Sequence, residues 1–126
     1  MKQRVLILCT GNSARSQMAE GLLRSDHGDR YEVESAGTHP SKVRPEAIAA
    51  MAELGIDLNG HRSKSVAEFD GQPFDVVLTV CDNARQACPV FPGAGKTLHH
   101  GFDDPHTLDD FRRVRDQIRH YLKNEF

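Results

Sequence analysis

Val5-Leu6-Ile7-Leu8 is an unbroken apolar run, the pattern of a strand covered on both faces of a parallel sheet. It enters Cys9-Thr10-Gly11-Asn12-Ser13, a cluster of turn and capping residues. A helical pattern follows, with Met18, Ala19, Leu22 and Leu23 on one face and Gly28 as its stop. Tyr31 and Val33 alternate with Glu32 and Glu34, which predicts a half-exposed strand ending at Ser35-Ala36-Gly37. Pro45 suits a first helical residue; Ile48, Met51 and Leu54 make an apolar stripe that Gly55 closes. Phe74 to Val80 reads as a second buried strand, interrupted only by Asp75 and Thr79. Cys81 to Cys88 is a short segment that Pro89 must end. Lys96 to His99 is a weaker strand pattern. Thr107 and Asp110 are spaced as a capping box, and Phe111, Val114, Ile118 and Leu122 form the buried face of a last helix.

Alternation of strand and helix predicts a doubly wound α/β domain. Residues 1–126 read as one domain, without repeats, low-complexity tracts or an internal linker. In such folds the ligand sits beyond the carboxyl ends of the strands. Cys9 and Cys81 both fall at such an end, so the pattern directs them toward one site.

Composition narrows the picture. A chain of 126 residues with 38% hydrophobic positions suits a single compact core. Sixteen Lys plus Arg against eighteen Asp plus Glu leave a net charge of -2, which indicates neither a nucleic-acid footprint nor a polybasic membrane patch. No apolar run approaches the roughly 20 residues that span a bilayer. The run after Met1-Lys2-Gln3-Arg4 is too short for a signal-peptide core. Three cysteines cannot all pair within one chain. Reduced thiols and a cytoplasmic protein are therefore expected.

The residues from Cys9 to Ser16 have the form Cys, five residues, Arg, Ser, between a strand and a helix. Small residues let the backbone curl so that successive N–H groups point inward, and the helix N-terminus adds partial positive charge. Thr10, Gly11, Asn12, Ser13, Ala14 and Arg15 are thus the expected cradle of a tetrahedral oxyanion. Arg15 offers a planar fork matched to two of its oxygens. Cys9 lies in the same field, which is expected to favour its thiolate and make it a nucleophile. Ser16 is placed to donate its hydroxyl to that thiolate.

Gly93-Ala94-Gly95-Lys96-Thr97 looks like the end of a nucleotide-binding loop. That pattern needs Gly where Val90 stands, and a strand before and a helix after it. The order here is reversed, so it reads as a loop entering a strand. The seven histidines show no zinc-type spacing, no metal or cofactor is expected, and His99-His100 reads as strand-end surface.

Cys9 through Gly21 closely resembles the opening of thioredoxin-coupled arsenate reductases, which share their fold with low-molecular-weight protein tyrosine phosphatases. Ser35-Ala36-Gly37-Thr38 resembles the end of that family's second strand. Thr79-Val80-Cys81 through Cys88-Pro89 resembles its redox segment, and Gly101-Phe102-Asp103-Asp104-Pro105 its acid loop. Phe111 through Asp116 fits its last helix, so the resemblance covers essentially the whole chain. It implies a three-layer α/β fold with a four-stranded parallel sheet in order 2-1-3-4 and helices on both faces.

The resemblance also implies a reaction. Cys9 attacks arsenate held by the loop and forms a thiol–arsenate adduct. Cys81 attacks Cys9, two electrons pass to arsenic, and arsenite leaves. Cys88 attacks Cys81, and thioredoxin reduces the Cys81–Cys88 disulfide. Asp104 aligns with the residue that protonates the leaving group in the phosphatases, while Asp103 is given a structural role. Seven residues of intact helix rise about 10.5 Å, whereas a disulfide tolerates Cα separations of only about 4.4–6.8 Å. The segment from Cys81 to Cys88 is therefore expected to unwind or loop out during the relay.

Two departures from relatives matter. Some carry a fourth cysteine where Ala14 stands, outside the three-thiol relay. Others bind potassium near the positions of Asn12, Glu20 and Ser35 with a further carboxylate, whose place Lys64 takes here. An ammonium supplies the cation's charge itself, so no potassium dependence is expected. The alternative activity is that of a low-molecular-weight protein tyrosine phosphatase, needing only Cys9, Arg15 and Asp104. It leaves Cys81 and Cys88 unexplained, and a chain with no Trp and two Tyr has few residues to grip an aryl phosphate. A redox-sensing or partner-binding module is a third reading, against which the intact nucleophile, arginine and acid argue. A monomer is expected.

Overall fold

The computed structural model describes residues 2–81 and 95–126. Four parallel strands, β1 (Gln3–Cys9), β2 (Tyr31–Gly37), β3 (Val76–Thr79) and β4 (Lys96–His99), form one sheet in the order β2-β1-β3-β4. The expected 2-1-3-4 sheet is present. Three helices are described: α1 (Arg15–His27), α2 (Pro45–Ala52) and α3 (Leu108–Glu125), with a short 3-10 turn at Val66–Phe69. The expected segment from Cys81 to Cys88 lies outside the described residues beyond Cys81 itself.

The strand burials follow from position in the sheet. Val5 to Cys9 of β1 are all buried, and because side chains alternate, both faces of this central strand are covered. β2 lies at an edge and keeps Glu32 exposed, as its alternating pattern predicts. β4, at the other edge, buries none of its residues. Of Gly93-Ala94-Gly95-Lys96-Thr97, Lys96 and Thr97 stand in a strand, not at a helix start.

α1 turns Met18, Ala19, Leu22 and Leu23 inward, all fully buried, and packs on β1, β2 and α3. Truncating one of these leucines to Ala costs about 2–5 kcal/mol. α2 ends at Ala52, three residues before the stop expected at Gly55, which instead takes a left-handed φ of 76° in the turn that follows. α3 starts with the expected capping box: Thr107 Oγ1 accepts from the Asp110 N–H at 3.1 Å, and Asp110 accepts in return from the Thr107 N–H. Phe111, Val114, Ile118 and Leu122 form its buried face. Among the described residues no helix is long and apolar enough to cross a membrane.

Candidate active site

Cys9 ends β1, and the chain from Thr10 to Ala14 forms the loop that enters α1. Its carbonyls are bound from outside, one after another. Cys9 O accepts from the Thr38 N–H at 3.2 Å and Thr10 O from the His39 N–H at 2.8 Å. Gly11 O accepts from the Ser41 N–H at 3.1 Å and from Ser63 Oγ at 2.8 Å. Asn12 O accepts from Gln17 Nε2 at 3.1 Å, and Ser13 O from the Arg44 N–H at 2.9 Å. No peptide bond among the described residues is cis, so each N–H opposes the carbonyl of its own peptide unit. The N–H groups of residues 10–14 therefore turn away from these partners, to the inner side of the loop. A concavity of N–H groups of this kind can accept an anion.

Asn12 is the one described non-glycine residue with a positive φ, at 47°, a backbone that Asn tolerates better than most. Its amide explains why it stays there. Nδ2 donates to Ser16 Oγ at 2.8 Å and to Ser35 Oγ at 3.0 Å; Oδ1 accepts from the Lys64 N–H at 2.8 Å and from Gln17 Nε2 at 3.0 Å. Ser35 in turn donates to Glu20 Oε1 at 2.5 Å. Asn12, Ser16, Gln17 and Ser35 are all fully buried, so every one of these bonds is shielded from water. Gly37 lets β2 lie against this loop: a Cβ there would sit 2.5 Å from Thr10 O and 2.9 Å from the Asn12 nitrogen.

Lys64 closes the back of the network. Its ammonium lies 3.8 Å from Glu20 and 3.8 Å from Glu34, and the residue is only 8% exposed. His61 joins from beside it through Gln17 Oε1 at 3.0 Å, and its burial holds the imidazole below the usual histidine range.

Arg15 spans the site. Nη1 donates to Phe102 O at 3.0 Å, and Nη2 lies 3.9 Å from Asp104 Oδ1. Its Nε is buried and has no hydrogen-bond partner among the described residues. A buried unpaired donor is costly, and an anionic oxygen bound beside it would satisfy it. Asp104 itself is exposed, while Phe102 and Pro105 on either side of the pair Asp103-Asp104 are buried anchors. Asp103 points to Arg113 at 3.2 Å, apart from the cradle.

Cys81 is buried beside Cys9, and its sulfur lies 3.2 Å from Thr10 Oγ1. The strand ends thus bring both thiols together. This contact corrects one expectation. The loop's field was expected to favour the Cys9 thiolate; instead its hydrogen bond with Cys81, and then burial, push the Cys9 thiol up, against the lowering pull of Arg15 and of the Thr10 N–H. Ser16, expected to donate to Cys9, accepts from Asn12 Nδ2 at 2.8 Å, a bond that does not use its own O–H. Cys88 lies outside the described residues.

A model of the low molecular weight phosphotyrosine protein phosphatase family matches residues 4–125. The chain belongs to that family. Within it, arsenate reductase 2 of Staphylococcus epidermidis is 42% identical over 120 residues, covering 94% of this chain and 92% of the relative. A solved arsenate reductase in the phosphate binding state superposes with a TM-score of 0.84 at 35% identity, over 99% of this chain and 96% of that one. The low-molecular-weight protein tyrosine phosphatase from T. tengcongensis superposes equally well, with a TM-score of 0.84, at 25% identity over 98% and 97%.

Gln17, Ser41, Ser63 and the backbone of residues 38–44 were not singled out from sequence, although they hold the loop. Their one legible trace was the density of Ser, Thr and Pro after β2. Polar residues in a loop do not announce which carbonyl they will meet.

Proposed function

We propose that the chain is an arsenate reductase working by a three-cysteine relay, and that thioredoxin regenerates it. The observation that carries this reading is the second buried thiol against the nucleophile: Cys81 touches Cys9 and Thr10. Hydrolysis of a phosphomonoester needs Cys9, Arg15 and Asp104, and gives Cys81 no work. Reduction of an oxyanion needs a thiol at that place.

The roles follow from the residues. The N–H groups of the loop, with Thr10, Gly11, Asn12, Ser13, Ala14 and Arg15, hold the oxyanion and stabilise charge on it as bonds change. The Cys9 thiol passes its proton to an arsenate oxygen, and Cys9 Sγ displaces an arsenic-bound hydroxyl, which leaves as water with a proton from Asp104. Cys81 Sγ then attacks Cys9 Sγ; the electron pair of the breaking S–As bond stays on arsenic, which departs as arsenite. Cys88 attacks Cys81 and releases Cys9 as a thiol. The Cys81–Cys88 disulfide that remains takes two electrons from the external dithiol. Ser16 accepts from Asn12 and donates its own hydroxyl to the Cys9 thiolate. The ammonium of Lys64 stands in for a bound cation, and turnover needs no potassium. Residues 1–126 act as one domain, as a monomer in the cytoplasm.

The test is arsenate-dependent NADPH oxidation with thioredoxin and its reductase, comparing wild type with Cys88→Ser. Sustained turnover in the wild type and at most one event per chain in the variant is expected. Absence of turnover in both, with hydrolysis of a small aryl phosphate, would instead make the chain a phosphatase.

A further inference from the structure

Arg44 occupies the N-cap of α2, with φ −74° and ψ 139°, and its side chain makes no capping bond. This is a poor choice of residue for the position. N-caps favour Asn, Asp, Ser or Thr, and a cation there meets the positive end of the helix dipole. The guanidinium is committed elsewhere. It stacks over the Phe111 ring of α3, 4.7 Å from the centroid, and Nη2 donates to Glu46 Oε2 at 2.9 Å. Glu46 is itself held below the usual carboxylate range by its own backbone N–H and by Arg44, so it stays charged. Two of the fork's sides are thereby immobilised, and Nη1 is left to donate to Pro105 O at 3.0 Å.

Pro105 follows the exposed acid, Asp104, whose only described polar neighbour is Arg15 at 3.9 Å. The carboxyl is thus held over the cradle by its backbone more than by its side chain. That backbone is tied at Phe102 O by Arg15 and at Pro105 O by Arg44. The backbone N–H of the same Arg44 binds Ser13 O in the oxyanion loop at 2.9 Å. One residue therefore joins the two halves of the site, main chain to the cradle and side chain to the acid loop. We infer that Arg44 is a positioning residue that sets the reach of Asp104 to the bound oxyanion. This rests on the reading of Asp104 as the proton donor.

Arg44→Asn separates positioning from folding, because Asn caps a helix better than Arg and keeps the main-chain bond to Ser13. The readout is the first turnover with arsenate, followed as loss of free thiols with no external reductant. The thermal midpoint of Arg44→Asn should not fall, and the arsenate concentration for half-maximal rate should stay at the wild-type value. The saturated rate should drop on the order of 10-fold, less than the roughly 10²-fold cost of losing a general acid outright. Asp104→Asn should show that larger loss, and the double variant should be no slower than Asp104→Asn alone. Arg44→Lys, which keeps the charge but loses the fork, should fall between Arg44→Asn and wild type.

An unchanged rate in Arg44→Asn, a loss that adds to that of Asp104→Asn, or weakened arsenate binding would overturn the inference while leaving the acid in place. An unaffected Asp104→Asn would sink the acid assignment, and the inference with it. If the wild type loses no thiols to arsenate, the reductase reading fails and the comparison moves to aryl phosphates. There the Arg44→Asn loss must be larger for phenyl phosphate than for p-nitrophenyl phosphate, whose leaving group needs little protonation; equal losses would overturn the inference.

Discussion

The oxyanion loop and the acid loop face one another across Arg15 but are built in opposite ways. The first is fastened at every residue: the carbonyls of residues 9–13 each meet a donor, and its left-handed residue is held by four bonds from a buried amide. The second hangs from two buried anchors, Phe102 and Pro105, with both of its carboxylates exposed between them. The Phe102 ring packs against His100 and Tyr121 at 4.5 and 5.9 Å, and the capping box of α3 follows directly. A cradle must meet several oxygens at once and so must be rigid before the anion arrives. A proton donor has to reach one atom, and a carboxyl that stays wet can exchange its proton with solvent.

The comparison can be broken at the residue common to both loops. Arg15→Lys removes the buried Nε and the bond to Phe102 O together. It should lower turnover on the order of 10²–10³-fold, the largest effect short of removing a thiol, and should weaken competitive inhibition by inorganic phosphate in parallel.

Asn12→Ala attacks the fastening of the cradle alone. It leaves Ser16 Oγ and the Lys64 N–H without partners in a buried site, leaves Ser35 only its bond to Glu20, and forces Ala into a left-handed backbone. Denaturant unfolding should show a loss of about 2–3 kcal/mol. Asn12→Gly keeps the backbone but not the bonds, and should lose less. Equal losses would mean that the conformation, not the amide network, is unimportant.

Cys81→Ala tests the electrostatics inside the cradle. Removing the largest cause of the raised Cys9 pKa should let Cys9 ionise at lower pH, so alkylation by iodoacetamide at neutral pH should speed up severalfold. The sign carries over to stability in the wild type. A thiol harder to ionise when folded contributes fully below the unfolded thiol pKa of about 8.5, and that contribution declines as pH rises above it.

Exchange of sodium for potassium should leave turnover unchanged, because the Lys64 ammonium already sits between Glu20 and Glu34. A clear rise with potassium would contradict this. Asp103→Asn should do least, with stability within about 0.5 kcal/mol of wild type, since its pair with Arg113 is on the surface.

The strand order was implied by the family resemblance; the strands themselves, the buried faces of α1 and α3, the capping box and the form of the oxyanion loop were legible along the chain. Each is a local or periodic feature: an apolar run, a 3.6-residue stripe, a spacing of small residues before an arginine. Cys9, Arg15 and Cys81 were likewise readable, because strand ends in this architecture converge on one edge. What the chain order concealed was pairing across distance. The thiol–thiol contact that raises the Cys9 pKa joins residues 72 positions apart; Arg44 and Pro105, 61 apart, meet only when α2 and α3 pack. Hydrophobic period and turn chemistry decide which elements form. The partner of a given carbonyl or thiol depends on how those elements settle against each other, and only the folded chain decides that.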